Sequence, residues 1–341
     1  MTSTAINFSR ITSTGLCTSL MILLNLLTAC NLTQAQDQKS FRQQRMERLQ
    51  GNNSPETFEN TNMPLEEFSY QGARRNYYVY TPSSYSSNKP MPLVMAFHGS
   101  SGRVDRLKEE SGLNNLAEQR GFIVVYPKAV NKIWTNNDVS FVGALIDHLE
   151  RSMNIDRNRE YAVGASAGGI FTQKLACEMS NRFTAFATVI ATMPKQLSST
   201  CNPPRAVPII MFNGTDDPIV HWGGGEPGNA ARAAQLLSVK ETVEFWRRKN
   251  ACSSNPTVTQ LPNTQPDGTD VVKSQYSGCR NGSQVVLYTI EGGGHTWPGS
   301  PVQSTSVQRS RGLRASAENR VSRDIRAQDV IWDFFDRYTS R

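Results

Sequence analysis

The sequence predicts an α/β architecture, a doubly wound and mostly parallel sheet with helices on both faces. Three observations carry that reading. Short runs rich in β-branched and aromatic residues alternate with segments of helical periodicity from about residue 68 onward. Two of the runs, PLVMAFHG (92–99) and GFIVVYP (121–127), are apolar without alternation, as strands buried on both faces must be. A third, Tyr161 to Val163, enters Gly164-Ala165-Ser166-Ala167-Gly168 and leaves through Ile170, Phe171, Leu175 and Ala176 at helical spacing, which makes a strand, a sharp turn and a helix.

Length and composition fit one large domain. The chain has 341 residues, 38% of them hydrophobic, enough for a substantial core over residues 65–341. The formal net charge of +7 is scattered, with no basic helix and no aromatic-basic interleaving, so nucleic acid is not an expected partner. Residues 1–30 contain no acid, a single base (Arg10) and the apolar run LMILLNLLTAC, which has the length of an export signal and not of a membrane-spanning helix. The run ends in Leu27-Thr28-Ala29-Cys30, which resembles the lipobox of bacterial lipoproteins. The expectation is a signal over 1–29, a lipid on Cys30 as the chain's membrane contact, and an exported protein, either held in the cell envelope or extracellular. Residues 30–64 are rich in Gln, Asn, Ser and charge and read as a disordered tether.

Along the domain, YYVYTP (77–82) is the first clear strand, followed by the two continuous apolar runs with helices between them. Asp138 can cap a helix carrying Val142, Leu145, Ile146, Leu149 and Met153 at helical spacing, and that helix leads into the Ser166 strand. FATVIA (186–191), PIIMFNG (208–214) and VVLYTI (285–290) read as further strands. Ser238 with Glu241 forms a capping box for a helix through Trp246 to Arg248. Ala327, Val330, Ile331, Phe334, Phe335 and Tyr338 mark a final amphipathic helix.

With Cys17 in the signal and Cys30 lipidated, Cys177, Cys201, Cys252 and Cys279 remain, an even count that suggests two disulfides in an exported chain. Nearest-neighbour pairing, Cys177 with Cys201 and Cys252 with Cys279, closes two short loops. A metal site is the rival arrangement, but no CxxC spacing or nearby His pair supports it. No metal and no cofactor is expected.

In a doubly wound sheet, chemistry collects beyond the carboxyl ends of the strands. Three strands there lead into loops of small residues that each hold one reactive type: His98-Gly99-Ser100-Ser101-Gly102, Asn213-Gly214-Thr215-Asp216-Asp217-Pro218, and Glu291-Gly292-Gly293-Gly294-His295-Thr296-Trp297. Together with Ser166 this gives Ser, Asp and His in the chain order of α/β-hydrolases. A serine hydroxyl is a weak nucleophile at neutral pH and needs an imidazole to take its proton and return it to the leaving group. His295 is the expected base, and Asp217, with Asp216 as its rival, the carboxylate that orients it. Of the other histidines, His98 reads as a brace for its own loop, His148 as a helix-flank residue, and His221 shares the Asp217 loop. The backbone N–H groups of Ala167 and Ser100 are the expected oxyanion donors. Trp222 and Trp297, in the Asp and His loops, are the candidates to stack on an aromatic or sugar-linked substrate.

These motifs, AFHGSSG, GFIVVYP, YAVGASAGGIFTQKLACE, GTDDPIVHW and EGGGHTWPG, resemble in order and spacing the secreted polyhydroxybutyrate depolymerase-like esterases, which grade into feruloyl and acetyl-xylan esterases. The resemblance runs from about Phe68 to Tyr338. It implies the α/β-hydrolase fold, Ser166 as nucleophile, His295 as base, Asp217 as its partner, and the Cys177–Cys201 and Cys252–Cys279 pairs. It also implies a small, oligomeric or polymeric ester as substrate. Three departures mark this chain. Ala167 stands where the family has Asn or Gln, the Trp134-bearing stretch from Lys128 to Asn137 is short, and Pro301 to Arg320 is polar and irregular. A reading of another class, a surface lipoprotein that binds glycan without catalysis, has no need for three reactive residues in three correctly ordered loops.

Overall fold

The continuous apolar runs fold as the centre of a ten-stranded sheet. The computed structural model describes residues 63–228, 235–302 and 320–340. The expected signal, the lipidation site Cys30, the tether up to residue 62 and most of the 301–320 stretch lie outside the described residues.

In chain order the strands are β1 (Leu65–Tyr70), β2 (Ala73–Tyr80), β3 (Met91–Phe97), β4 (Ile123–Pro127), β5 (Ile155–Ala165), β6 (Ala185–Val189), β7 (Ile209–Gly214), β8 (Thr257–Gln260), β9 (Asp270–Tyr276) and β10 (Val285–Glu291). Their order across the sheet is β1-β2-β4-β3-β5-β6-β7-β10-β9-β8. The stretch from β4 to β10 is parallel throughout, and antiparallel pairs close both sides. Because β3 is flanked by β4 on one side and β5 on the other, the chain reverses its winding direction there. The crevice beyond the ends of β3 and β5 is therefore the topological switch point.

Helices cover both faces. They are α1 (Val104–Ser111), α2 (Leu113–Arg120), α3 (Asn137–Ser152), α4 (Ala167–Glu178), α5 (Lys195–Thr200), α6 (Val239–Lys249) and α7 (Ala327–Phe335). The two-residue period of the strands sorts side chains between two cores. Leu93, Met95 and Phe97 of β3 face Phe141, Leu145 and Leu149 of α3, with Leu175 of α4 and Trp246 of α6 in the same core. Val94 and Ala96 face the other way, toward Leu107 of α1, Leu116 of α2, and Trp332 and Phe335 of α7. Phe122 stacks on Trp332 at 4.1 Å, which seats the final helix on the entrance to β4.

Several local expectations are met. Ser238 Oγ accepts from the Glu241 N–H and Glu241 returns the bond to the Ser238 N–H, so the box at the start of α6 is closed. The disulfides Cys177–Cys201 and Cys252–Cys279 are formed. The first ties the end of α4 to the end of α5, and the second ties the end of α6 to the turn after β9.

Others are corrected. Asp138 does not cap α3, whose N-cap position is Asn136. Asp138 is inside the first turn, buried, and paired with Arg75 of β2 at 2.5 Å. The final helix stops at Phe335, and Tyr338 lies beyond it, its carbonyl accepting from the Tyr161 hydroxyl at 2.8 Å. His148 is on α3 as expected, half-buried with its ring 4.7 Å from Phe68, and burial lowers its pKa. The strands β1, β8 and β9 add to the sheet where no strand is expected from the sequence. β8 is exposed at every position, so no apolar alternation marks it.

Candidate active site

Ser166 sits between β5 and α4 with φ 55° and ψ −123°, a conformation that bulky neighbours would not permit. A Cβ on Gly164 would lie 2.2 Å from the Gly168 carbonyl oxygen, and one on Gly168 would lie 2.0 Å from the Phe97 carbonyl oxygen. The small residues around Ser166 are thus a condition of the turn itself. The Ser166 N–H donates to the Val189 carbonyl at 3.0 Å and the Ile170 N–H closes the first turn of α4 on Ser166 O at 2.9 Å. The opening N–H groups of α4, that of Ala167 first, have no intrahelical acceptor and carry the positive end of the helix dipole.

Three of the sequence-predicted residues meet in front of this turn. Ser166 Oγ is 2.9 Å from His295 Nε2. His295 Nδ1 is 2.8 Å from Asp217 Oδ2 and 3.0 Å from its Oδ1. Asp217 is 4% exposed, and its Oδ1 also accepts from the Ile219 and Val220 N–H groups at 2.8 and 2.9 Å. With only an acceptor at Asp217, the His295 proton belongs on Nδ1, which turns the Nε2 lone pair toward Ser166. The rival Asp216 is exposed and points to Thr215 Oγ1 and Arg320. The Asp and His loops brace each other: the Asp216 N–H donates to Gly293 O, and the Gly292 N–H to Thr215 Oγ1.

The turn after β3 runs alongside. A Cβ on Gly99 would be in contact with Ser166 Cβ at 3.4 Å, and the Gly102 N–H closes the turn on Gly99 O. The next residue, Ser100, is exposed. His98, 1% exposed, braces this turn: its Nδ1 meets Gly99 O at 2.8 Å and its Nε2 accepts from the Ala129 N–H at 3.1 Å. Burial pushes its pKa down, which keeps Nε2 an acceptor.

A cleft of about 330 Å³ opens beside Ala167, walled by Trp134, Ile170, Phe171, Pro194 and Leu197. Sequence reasoning did not assign Ile170, Phe171, Pro194 or Leu197 to a site. The available signal was the spacing of Ala167, Ile170, Phe171 and Lys174, one face of the helix that starts at Ser166. Neither Trp222 nor Trp297, the tryptophans singled out in the sequence, walls this cleft. Trp297 is 2% exposed, packs into the core under α7 and donates to Gln328 Oε1, so it has no face to offer a substrate. The cause is non-local: the Gly294 N–H and Thr296 hydroxyl bond Arg320 O, and the Gly299 N–H bonds Ser322 O, folding the His loop back on the segment before α7. Trp222 is half-buried against the other core, and its carbonyl accepts from the Val239 N–H.

No protein-family model matches the chain. A crystal structure of a thermostable esterase aligns over 81% of this chain and 63% of its own length, with a TM-score of 0.50 and 15% identity, a likeness of fold. The fold is that of the α/β-hydrolases. Within it, "Putative esterase NocK" of Nocardia uniformis subsp. tsuyamanensis is 27% identical over 248 residues, covering 67% of this chain and 72% of that protein. The bifunctional acetylxylan esterase/xylanase XynS20E of Neocallimastix patriciarum is 26% identical over 239 residues, 68% of this chain but 32% of the relative. Further relatives are named feruloyl esterase. The chain is thus similar in sequence to proteins named as esterases and shares its fold with a solved esterase.

Proposed function

We propose that the protein is a serine carboxylesterase that works through an acyl-enzyme on Ser166. The observation that carries this is the unbroken line from Asp217 through His295 to Ser166 Oγ, with heavy-atom distances of 2.8 and 2.9 Å. In this reading His295 Nε2 takes the Ser166 proton as Oγ bonds to the ester carbonyl carbon. The carbonyl oxygen becomes an oxyanion held by the Ala167 and Ser100 N–H groups. The bond to the alcohol then breaks, and His295 returns the proton to the departing oxygen. Water repeats the sequence on the acyl-enzyme, giving its proton to His295 and releasing the acid with Ser166 restored. Asp217 holds the imidazole in the productive tautomer and offsets the positive charge it acquires.

For the substrate, the names of the relatives favour acetyl or feruloyl esters on polysaccharide over the hydroxyalkanoate esters of the depolymerase-like group. The apolar walls of the cleft suit the acyl part of such an ester. Export, with a lipid on Cys30, fits the N-terminal sequence, and the two disulfides support an oxidising compartment. The direct test is labelling with a fluorophosphonate followed by peptide mass spectrometry. The adduct is expected on Ser166, and a folded protein that takes no label there would overturn the reading.

A further inference from the structure

Trp134 touches both halves of the site. Its indole N–H donates to the His98 carbonyl at 2.9 Å, at the entrance to the turn that runs beside Ser166. Its ring lies flat on Phe171 of α4, with centroids 4.8 Å apart and planes 9° from parallel. The His98 ring is 4.7 Å away and the Phe97 ring meets it edge-on at 5.4 Å. One side chain thus spans the end of β3 and the first turns of the nucleophile helix, and its remaining edge walls the cleft next to Ala167.

The stretch that presents Trp134 is anchored from behind at both ends by one buried ion pair. Arg75 bonds Asp138 Oδ1 at 2.5 Å and reaches the Lys128 carbonyl at 3.4 Å, with its guanidinium 3.6 Å above the Phe141 ring. Asp138 Oδ2 accepts from both the N–H and the hydroxyl of Thr135, at 2.7 and 2.8 Å. The two side chains are 8% and 3% exposed. A pair so buried is a poor source of net stability, because desolvation offsets its attraction, but it fixes geometry well. Here it fixes the residues on either side of Trp134.

Oxyanion donors act only when they lie about 2.7–3.1 Å from where the charge develops. The two expected donors in this chain belong to different elements, the Ser100 N–H to the turn after β3 and the Ala167 N–H to the start of α4. We propose that Trp134 is a positioning residue for the transition state, setting the spacing between those two elements while the Arg75–Asp138 pair holds it in register. The inference rests on the nucleophile assignment made above. Because the same indole walls the cleft, the fit of the substrate beside it is coupled to the placement of the donors.

The test compares wild type with Trp134→Phe, which keeps a flat ring on Phe171 but removes the N–H, and with Trp134→Leu, which removes both contacts. Fluorophosphonate titration counts competent Ser166, so that rates of p-nitrophenyl butyrate hydrolysis are expressed per active site and a folding loss drops out. For Trp134→Phe the expected result is kcat lowered roughly tenfold, KM held within about twofold, and affinity for a trifluoromethyl ketone lowered in step with kcat. Trp134→Leu should lose more, up to about 100-fold. If the Leu variant does not fold, the Phe variant decides alone. An unchanged kcat per titrated site in Trp134→Phe, or a loss confined to KM, overturns the proposal while leaving Ser166 in its role. Wild-type protein that takes no label at Ser166 overturns the nucleophile assignment and this inference with it.

Discussion

Gly168 lies so close to Phe97 that a Cβ on it would sit 2.0 Å from the Phe97 carbonyl oxygen. The first turn of α4 is therefore pressed against the end of β3, backbone to backbone, with no flexible side chain between them to yield. Gly168→Ala is expected to destabilise the fold by about 3 kcal/mol or more, at the upper end of overpacking costs. Urea denaturation measures this. Gly223→Ala, at a position with nothing within 4 Å, is the control and should change little.

Asp217 and Asp216 are adjacent in sequence and opposite in environment, one buried against His295 and the other exposed. Asp217→Asn should lower kcat by about 10⁴-fold with little change in KM, because an amide no longer selects the imidazole tautomer. Asp216→Asn should stay within about twofold of wild type, as expected for an exposed group away from the reacting atoms. Steady-state kinetics on any turned-over ester separates the two.

Glu160, at the buried part of β5, carries a prediction about pH. Burial is the main cause that pushes its carboxyl up, to about 8, and the neighbouring Glu150 adds to the effect. Arg182 Nε is 3.0 Å away and opposes it, as does Arg157. Neither Glu160 oxygen forms an aligned hydrogen bond, so burial prevails over the cation. An unfolded glutamate loses its proton near 4.5. Between that pH and about 8 the native state keeps a proton that the unfolded chain has released, so this group's contribution to stability falls as pH rises through the window. Glu160→Gln should flatten the decline between pH 5 and pH 9 in urea titrations. An unaltered pH dependence in that variant would contradict the assignment.

The disulfides close loops of 24 and 27 residues. Loop-closure entropy assigns each about 3.5 kcal/mol of stability. Replacing Cys177 and Cys201 together by Ser, or Cys252 and Cys279 together, should cost about that much in denaturant titration. The loss from the first pair should also affect the cleft, because Cys177 ends the nucleophile helix and Cys201 follows α5, which supplies Leu197.

What could be read from the sequence follows from where each residue gets its environment. The strands β3, β4, β6, β7 and β10 are buried across the sheet and therefore spell continuous apolar runs. Asp217 and His295 were legible because each stands in a loop of small residues directly after such a run, and Ser166 because it stands among small residues at the buried end of β5. The edge strand β8 and its neighbour β9 were not, since β8 is wholly exposed and β9 mostly half-buried, leaving polar sequences like those of loops. Asp138 looked like a helix cap because its true partner, Arg75, is 63 residues away. Trp297 looked available because Gln328, which bonds its indole, and Arg320, whose carbonyl holds the neighbouring Thr296, lie 31 and 24 residues further along the sequence than their partners. Trp134 carried no local sign that its ring would lie on Phe171.

One matched set of rates decides whether Ser166 turns over an ester with His295 and Asp217. The protein and its Ser166→Ala variant are each given p-nitrophenyl butyrate, methyl ferulate, acetylated xylan and a hydroxybutyrate oligomer. Hydrolysis is expected to disappear with the serine and to be strongest on acetyl or feruloyl esters. Activity that survives Ser166→Ala, or its absence on all four esters in folded wild type, would contradict that role for Ser166.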